Sequence, residues 1–136
     1  MISVTFTVPG DPRPKGSMTR YMRQSSRRVK GWQQLVGLLA RQHIAEPLHG
    51  PMRVDLRFRF AVPARTSLGY PGRQVGDLDK LIRAVLDGLT GAAYADDAQV
   101  IEISAVKDFG EPGADVRVQA LAPRWTTRGK CQRRGA

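Results

Sequence analysis

The sequence predicts an α+β fold in which two main helices pack on a small mixed β-sheet of about four strands. Three observations support this prediction. Some segments alternate apolar and polar residues, others repeat apolar residues every three or four positions, and the two kinds interleave in the order β, α, β, α, β, β. The length of 136 residues fits a single domain.

The strands are predicted from alternation. Residues 2–8, ISVTFTV, place an apolar side chain at every second position, and residues 52–62, MRVDLRFRFAV, do so with mostly charged side chains between them. Residues 99–107 and 115–121 are two further predicted strands. The turn-forming segment between them, FGEPGAD, predicts that these two strands pair as a hairpin.

The helices are predicted from apolar residues at helical spacing. Residues 29–45 form the first helix, which ends before Pro47. Its Trp32 is interpreted as a helix-core residue rather than a base-stacking platform. Residues 78–89 form the second helix, with Asp77 placed to cap its N-terminus. The apolar stripe of this helix consists of Leu78, Leu81, Ile82, Val85, Leu86 and Leu89.

The composition indicates the class of partner. A net charge of +10 and an isoelectric point of about 10.8 predict contact with a polyanion, most commonly nucleic acid. The one cysteine, Cys131, cannot form an internal disulfide, and a zinc site is not expected with only two histidines beside it. No apolar run reaches the roughly 18–20 residues that span a membrane, and no signal-peptide pattern is present. A cytoplasmic protein without membrane association is expected.

One domain is predicted over residues 1–122. Residues 123–136 hold five basic residues, no acidic residue and little that could pack in a core. They are therefore predicted to form a basic, disordered tail.

The acidic residues cluster at the two ends of the second helix. Asp77 and Asp79 stand at its start, and Asp96 and Asp97 follow it. If the carboxylates converge, their mutual repulsion requires a cation, and oxygen ligands suit Mg²⁺ or Mn²⁺. A basic protein with such a site is suited to phosphodiester hydrolysis. Spacing also allows purely local roles, namely a helix cap, ion pairs of Asp79 and Asp87 with Arg83 on the helix surface, and a turn.

Residues 77–100, DLDKLIRAVLDGLTGAAYADDAQV, resemble the signature D-x-D-N-x-x-K, D-A-L-T, D-D-x-Q-V of the RusA-type Holliday junction resolvases, common in phages and prophages. FTVPGDPRPKGS is similar to the family's N-terminal segment, and Val106–Lys107 followed by FGEPG is similar to its C-terminal part. The resemblance covers residues 4 to about 120.

This resemblance implies a small, homodimeric, Mg²⁺-dependent endonuclease. Such an enzyme binds four-way DNA and nicks two strands symmetrically during recombination, repair or phage DNA processing. The family's catalytic, metal-binding aspartates correspond to Asp77, Asp79 and Asp97. Its catalytic lysine corresponds to Arg83, and its signature asparagine to Lys80.

These two departures leave alternatives open. Arginine is effectively never deprotonated, so a catalytic Arg83 would act on the phosphate charge rather than transfer a proton. Lys80 could contact the scissile phosphate, weaken metal binding or replace the family's lysine. Both residues could also be solvated surface cations.

Five cations are assigned to DNA contact because they lie in basic or loop segments or at family lysine positions, namely Lys15, Arg13, Arg20, Arg73 and Lys107. The alternative reading of Lys15 is a solubilising charge. For Lys107, the alternative is a charge at a strand edge.

Two other functions remain compatible with the sequence. One is a branched-DNA-binding protein without catalysis, and the other is a nuclease that acts on flaps or forks. A dimer is expected because symmetric incision of a junction needs two sites related by two-fold symmetry. Strand 52–62 or helix 29–45 could supply the interface.

Overall fold

The computed structural model describes residues 2–16, 23–65 and 68–123, with the backbone only for residues 23–26. The main elements of this part of the chain are β1 (Ser3–Pro9), α1 (Arg23–His43), β2 (Met52–Phe60), α2 (Leu78–Leu89), β3 (Val100–Phe109) and β4 (Gly113–Ala120). Short 3₁₀ turns at Arg73–Val75 and Asp97–Gln99 precede α2 and β3. The predicted α+β fold is confirmed, and α2 has the predicted bounds. α1 begins earlier than predicted.

The strands form one mixed sheet in the order β1-β4-β2-β3. β4 pairs antiparallel with both β1 and β2, whereas β2 and β3 are parallel. Parallel neighbours require a connection that returns along the length of the strand, and α2 supplies it. α2 therefore runs antiparallel to β3, and the start of α2 lies near the end of β3.

The predicted hairpin between the last two strands is wrong. β3 and β4 flank β2 on opposite sides, so the turn between them passes over the end of β2. There the N–H of Gly110 donates to the carbonyl of Phe60 at 2.9 Å. The apolar side chains of β2 are all buried, which places this strand in the sheet interior with a neighbour on each side. Strand 52–62 therefore has no free edge through which a second subunit could extend the sheet.

The core lies between the sheet and the two helices. It is built from the inward-facing residues of β1, β2 and β4 and from one face of each helix, including Val8, Val54, Phe58, Val116, Val36, Leu81, Val85 and Leu89, while β3 adds only the partly buried Val100 and Ala105. Trp32 is 5% exposed, which confirms its interpretation as a core residue. Within the described residues, neither helix combines the length and the apolar character that a membrane span requires.

The two helices cross at a pair of glycines. A Cβ on Gly88 would lie 2.8 Å from the carbonyl oxygen of Gln33, and a Cβ on Gly37 would lie 2.9 Å from that of Gly88. Both separations are shorter than van der Waals contact, and both involve backbone, which cannot yield as a side chain tip does. The absence of side chains here is what allows the two helices to approach.

We predict that Gly88→Ala destabilises the protein by about 1–3 kcal/mol, because the new methyl group overpacks the crossing. Urea unfolding would measure the change. Gly31→Ala is the matched control, since a methyl group on Gly31 would have no atom within 4 Å apart from its chain neighbours and the nearby backbone of its own helix. Alanine should be favourable there by up to about 1 kcal/mol through helix propensity. Equal effects of the two substitutions would contradict close packing at Gly88.

Candidate functional site

Asp77 occupies the N-cap of α2 but does not use its side chain as a cap. Its backbone is extended, with φ −75° and ψ 148°, and its carboxylate makes no capping hydrogen bond. Its carbonyl accepts the N–H groups of Lys80 and Leu81, both at 3.1 Å. The predicted N-cap position is confirmed, while the exposed carboxylate remains available to a ligand outside the helix.

Asp79 lies in the first turn of the same helix and is also exposed. Neither Asp77 nor Asp79 forms an ion pair with another described residue. The helix N-terminus is positive, which favours two carboxylates there more than elsewhere on the helix. The start of α2 therefore presents two adjacent carboxylates to solvent.

The segment that precedes Asp77 is held by residues distant in sequence. Gly76 has a φ of +102°, and a Cβ on it would lie 2.6 Å from Cγ of Pro14. The N–H of Lys15 donates to the carbonyl of Lys80 at 3.0 Å. The ammonium of Lys107 donates to the carbonyls of Gly76 and Gly72, at 2.9 and 3.2 Å.

Asp97 stands before β3, in the turn Asp97–Gln99, and is exposed. Its neighbour Asp96 caps that turn, because its Oδ1 accepts the N–H of Ala98 at 2.9 Å while Oε1 of Gln99 accepts the N–H of Asp96 at 3.1 Å. The turn role considered for Asp96 is confirmed. The pattern Asp-x-x-Gln is a capping box, which could have been recognised in the sequence.

The structure does not bring Asp97 to Asp77 and Asp79 within one chain. Lys107, at the far end of β3, contacts Gly76, whereas Asp97 precedes the first residue of that strand. At about 3.3 Å per residue, the strand from Val100 to Lys107 spans roughly 23 Å. Among the described residues, no three acidic, histidine or cysteine side chains lie close enough to hold a metal ion.

Tyr94 and the turn that carries Asp97 both lie against α2. The Tyr94 hydroxyl donates to the carbonyl of Leu86 at 3.1 Å, beside the second half of α2. Burial raises the pKa of Tyr94, and the negative charges of Asp97 and Asp87 raise this pKa further, whereas a hydrogen bond with Thr90 opposes the shift. The turn Asp97–Gln99, which carries Asp97, itself contacts α2.

The remaining charges of α2 are arranged differently from the predicted ion pairs. Asp87 pairs with Lys15, not with Arg83. Arg83 and Lys80 are exposed and make no ion pair with any described residue. Both cations can therefore act on an external anion.

Helical spacing divides the surface of α2 into two flanks. Gly88 faces α1, whereas Leu78, Ile82 and Leu86 lie on the opposite flank and are half-buried. Asp79 and Arg83 fall directly beside this stripe. They consequently face away from α1, toward the side on which β3 ends the sheet.

The outer face of the sheet, which carries no helix, is electrically balanced. Its four arginines are accompanied by four carboxylates, in the pairs or groups Arg53–Asp55–Glu102, Arg57–Asp108 and Arg59–Asp115, with Arg117 bonded to Ser3. The pKa of Arg53 is raised, chiefly by its hydrogen bonds to Asp55 and then Glu102. This face offers no excess of positive charge to a polyanion.

Most cations without an ion pair to another described residue lie on the helices and loops, namely Arg27, Arg28, Lys30, Arg41, Arg65, Arg73, Lys80 and Arg83. Two others, Lys107 and Arg117, lie on strands. Of the cations assigned to DNA, Arg73 is exposed, Arg13 lies 3.9 Å from Asp11, and Arg20 lies outside the described residues. Three of these cations, Arg73, Lys80 and Arg83, therefore lie on the same helix as Asp77 and Asp79 or on the turn before it.

Residues 6–119 match the protein-family model described as Endodeoxyribonuclease RusA. The chain belongs to the RusA endodeoxyribonuclease family. The family acts on Holliday junctions in DNA recombination, and membership makes this chain a nuclease, a hydrolase of DNA phosphodiesters. This RusA-family chain is also similar to the uncharacterized protein YqaN of Bacillus subtilis strain 168. The two are 28% identical over 142 residues, which cover 90% of this chain and 99% of YqaN.

Sequence reasoning missed the residues that support the start of α2 in this RusA-family chain. The contact of Pro14 with Gly76 and the bonds from Lys107 join segments far apart in sequence. No local pattern signals such contacts, because each depends on how the N-terminal loop and β3 are placed against α2.

The two N-cap aspartates should differ in their effect on stability. Asp96→Ala removes a capping bond and should cost about 1 kcal/mol, whereas Asp77→Ala should cost about half of that or less because no such bond is lost. Chemical denaturation in the absence of metal measures both. A larger loss for Asp77→Ala would show that its carboxylate serves the fold.

Proposed function

We propose that this RusA-family chain is a Mg²⁺-dependent endonuclease that resolves four-way DNA junctions by paired, symmetric hydrolysis of phosphodiesters. The observation that carries the proposal is the pair of exposed carboxylates at the start of α2. Asp77 occupies a capping position without capping, and Asp79 stands beside it. Arg73, Lys80 and Arg83, which make no ion pair with another described residue, lie on the same helix or on the turn before it.

The proposed metal ligands are Asp77, Asp79 and Asp97, with Mn²⁺ as a possible substitute for Mg²⁺. Carboxylates and water are the donors that these ions prefer. When bound, the ion supplies Lewis-acid polarisation of the phosphodiester and an activated water. Arg83 remains protonated and is proposed to stabilise negative charge on the phosphate, as a cation that does not transfer protons. Lys80, Lys15, Arg13, Arg20 and Arg73 are proposed to hold the DNA backbone.

A single described chain does not gather these three aspartates, so we propose that the metal site is composite. Asp77 and Asp79 of one protomer would combine with Asp97 of the partner subunit. A two-fold axis beside β3 would set two copies of the strand antiparallel. The start of one β3 then lies beside the end of the other, where α2 begins.

The outer edge of β3 has the character of a protein interface. β3 ends the described sheet on this side, and the exposed fractions of Ile101, Ile103 and Val106 are 48%, 42% and 49%. On the helix-bearing side, Leu78, Ile82 and Leu86 of α2 are also only partly buried. An exposed edge strand with apolar side chains is generally covered by pairing or packing. A homodimer across this edge would cover it and form two equivalent sites, as symmetric incision requires.

The activity test uses a synthetic four-way junction with Mg²⁺, Mn²⁺ or EDTA. Paired nicks that require metal are expected, and Asp97→Asn should abolish them while it preserves junction binding. Flap and fork substrates run in parallel identify a nuclease with another preference. Salt-sensitive binding with no product under any of these metals would instead indicate a DNA-binding protein without catalysis.

The composite site predicts complementation between two inactive variants. In a heterodimer of Asp77→Asn and Asp97→Asn chains, one site carries both substitutions and the other carries neither. The purified heterodimer should therefore regain about half of the wild-type site activity, as nicks in one strand. Differently tagged chains, co-expressed and purified through both tags, measure this. If each site belongs to one chain, the heterodimer stays inactive.

A further inference from the structure

The ammonium group of Lys107 is hydrogen-bonded to backbone carbonyls of the same chain. Its residue is half-buried on the helix-facing side of β3, paired with the buried Phe58. Its ammonium donates to the carbonyl of Gly76 at 2.9 Å and to that of Gly72 at 3.2 Å. Two of its three N–H donors are therefore occupied by backbone oxygens.

The two carbonyls flank the 3₁₀ turn that leads into Asp77. Gly76, the residue before Asp77, is held from the other side by Pro14 and has a backbone conformation that disfavours any side chain. The segment before Asp77 is therefore held by hydrogen bonds from Lys107 and by packing against Pro14. Because Gly76 is adjacent to Asp77, these contacts fix the position at which α2 begins and the direction of the Asp77 carboxylate.

The ammonium is also what allows the two carbonyls to converge. Their oxygens are directed at one position, where their partial negative charges repel unless a donor lies between them. A neutral side chain of the same length would fill the space but donate to neither oxygen. The Gly72 carbonyl would keep the N–H of Val75 at 3.4 Å, whereas the Gly76 carbonyl would lose the donor that Lys107 supplies. The segment that carries Asp77 would then relax to reach water or another donor.

We propose that Lys107 is a positioning residue that holds Asp77 in place, rather than a contact to the DNA backbone. A phosphate-binding lysine presents its ammonium to solvent, whereas this one is directed at two carbonyls in the fold. The catalytic consequence rests on the proposed role of Asp77 in hydrolysis, while the structural consequence does not.

The test compares Lys107→Met with Arg73→Gln, each of which removes one positive charge near the start of α2. For Lys107→Met, kcat at saturating junction should fall on the order of 10- to 100-fold, since small displacements of a reacting group have effects of this size. The Kd for the metal-free complex should stay within about two-fold, with an unchanged salt dependence. Arg73→Gln should weaken binding and reduce the slope of log K against log[salt] by about one.

Hydrogen exchange of the metal-free protein provides a readout without activity. The backbone amides of residues 72–80 should exchange faster in Lys107→Met, whereas their exchange rates should be unchanged in Arg73→Gln. Lys107→Arg, which retains a charged donor, should recover part of the lost kcat. If Lys107→Met does not fold, Lys107→Gln, with a donor on a shorter chain, takes its place and is judged by the same quantities.

Two results would overturn the proposal. One is a salt slope reduced by about one with unchanged kcat, which identifies a phosphate contact. The other is a variant with unchanged kcat and unchanged exchange. Failure of the proposed function is recognised separately, because the wild-type protein would then cut no substrate with any metal, and exchange alone would decide the role of Lys107.

Discussion

The burial of β2 in the middle of the sheet is the constraint on which the rest of this structure depends. Its apolar side chains are buried against the helices, and a strand is hydrogen-bonded to it on each side, β4 on one and β3 on the other. One of those neighbours, β3, is parallel to it, and a parallel pair requires a crossover. α2 is that crossover, and its direction places Asp77 at one end of the helix layer and Asp97 at the other.

The same arrangement separates the charges of the protein into two sides. The sheet face without helices pairs its arginines with carboxylates of the same or a neighbouring strand, as Arg53 does with Asp55 and Glu102. The helix side lacks such pairing around Asp77 and Asp79. A polyanion is therefore attracted to the side that carries the exposed carboxylates. The proposed function uses both features, the unpaired cations for the DNA backbone and the exposed carboxylates for the metal ion.

Much of the fold could be predicted because its signals are local. The stripe of α2 recurs with helical period, which identified the bounds Leu78–Leu89, and alternation identified β2. Strand order could not be predicted in this way. The turn at residues 110–112 is short enough for a hairpin, and only competition for the edges of β2 places β3 and β4 on opposite sides of it.

By itself, the sequence determined the elements, the basic character, the family signature and the identity of the candidate aspartates, because each is written in residue type and spacing. The tertiary structure decided that Asp77 and Asp97 of one chain lie at opposite ends of α2. It also decided that the Asp77 side chain makes no capping hydrogen bond and that Lys107 donates to the backbone of Gly72 and Gly76. These properties depend on which segments pack together. Packing is set by burial of the whole core, so no single segment encodes it.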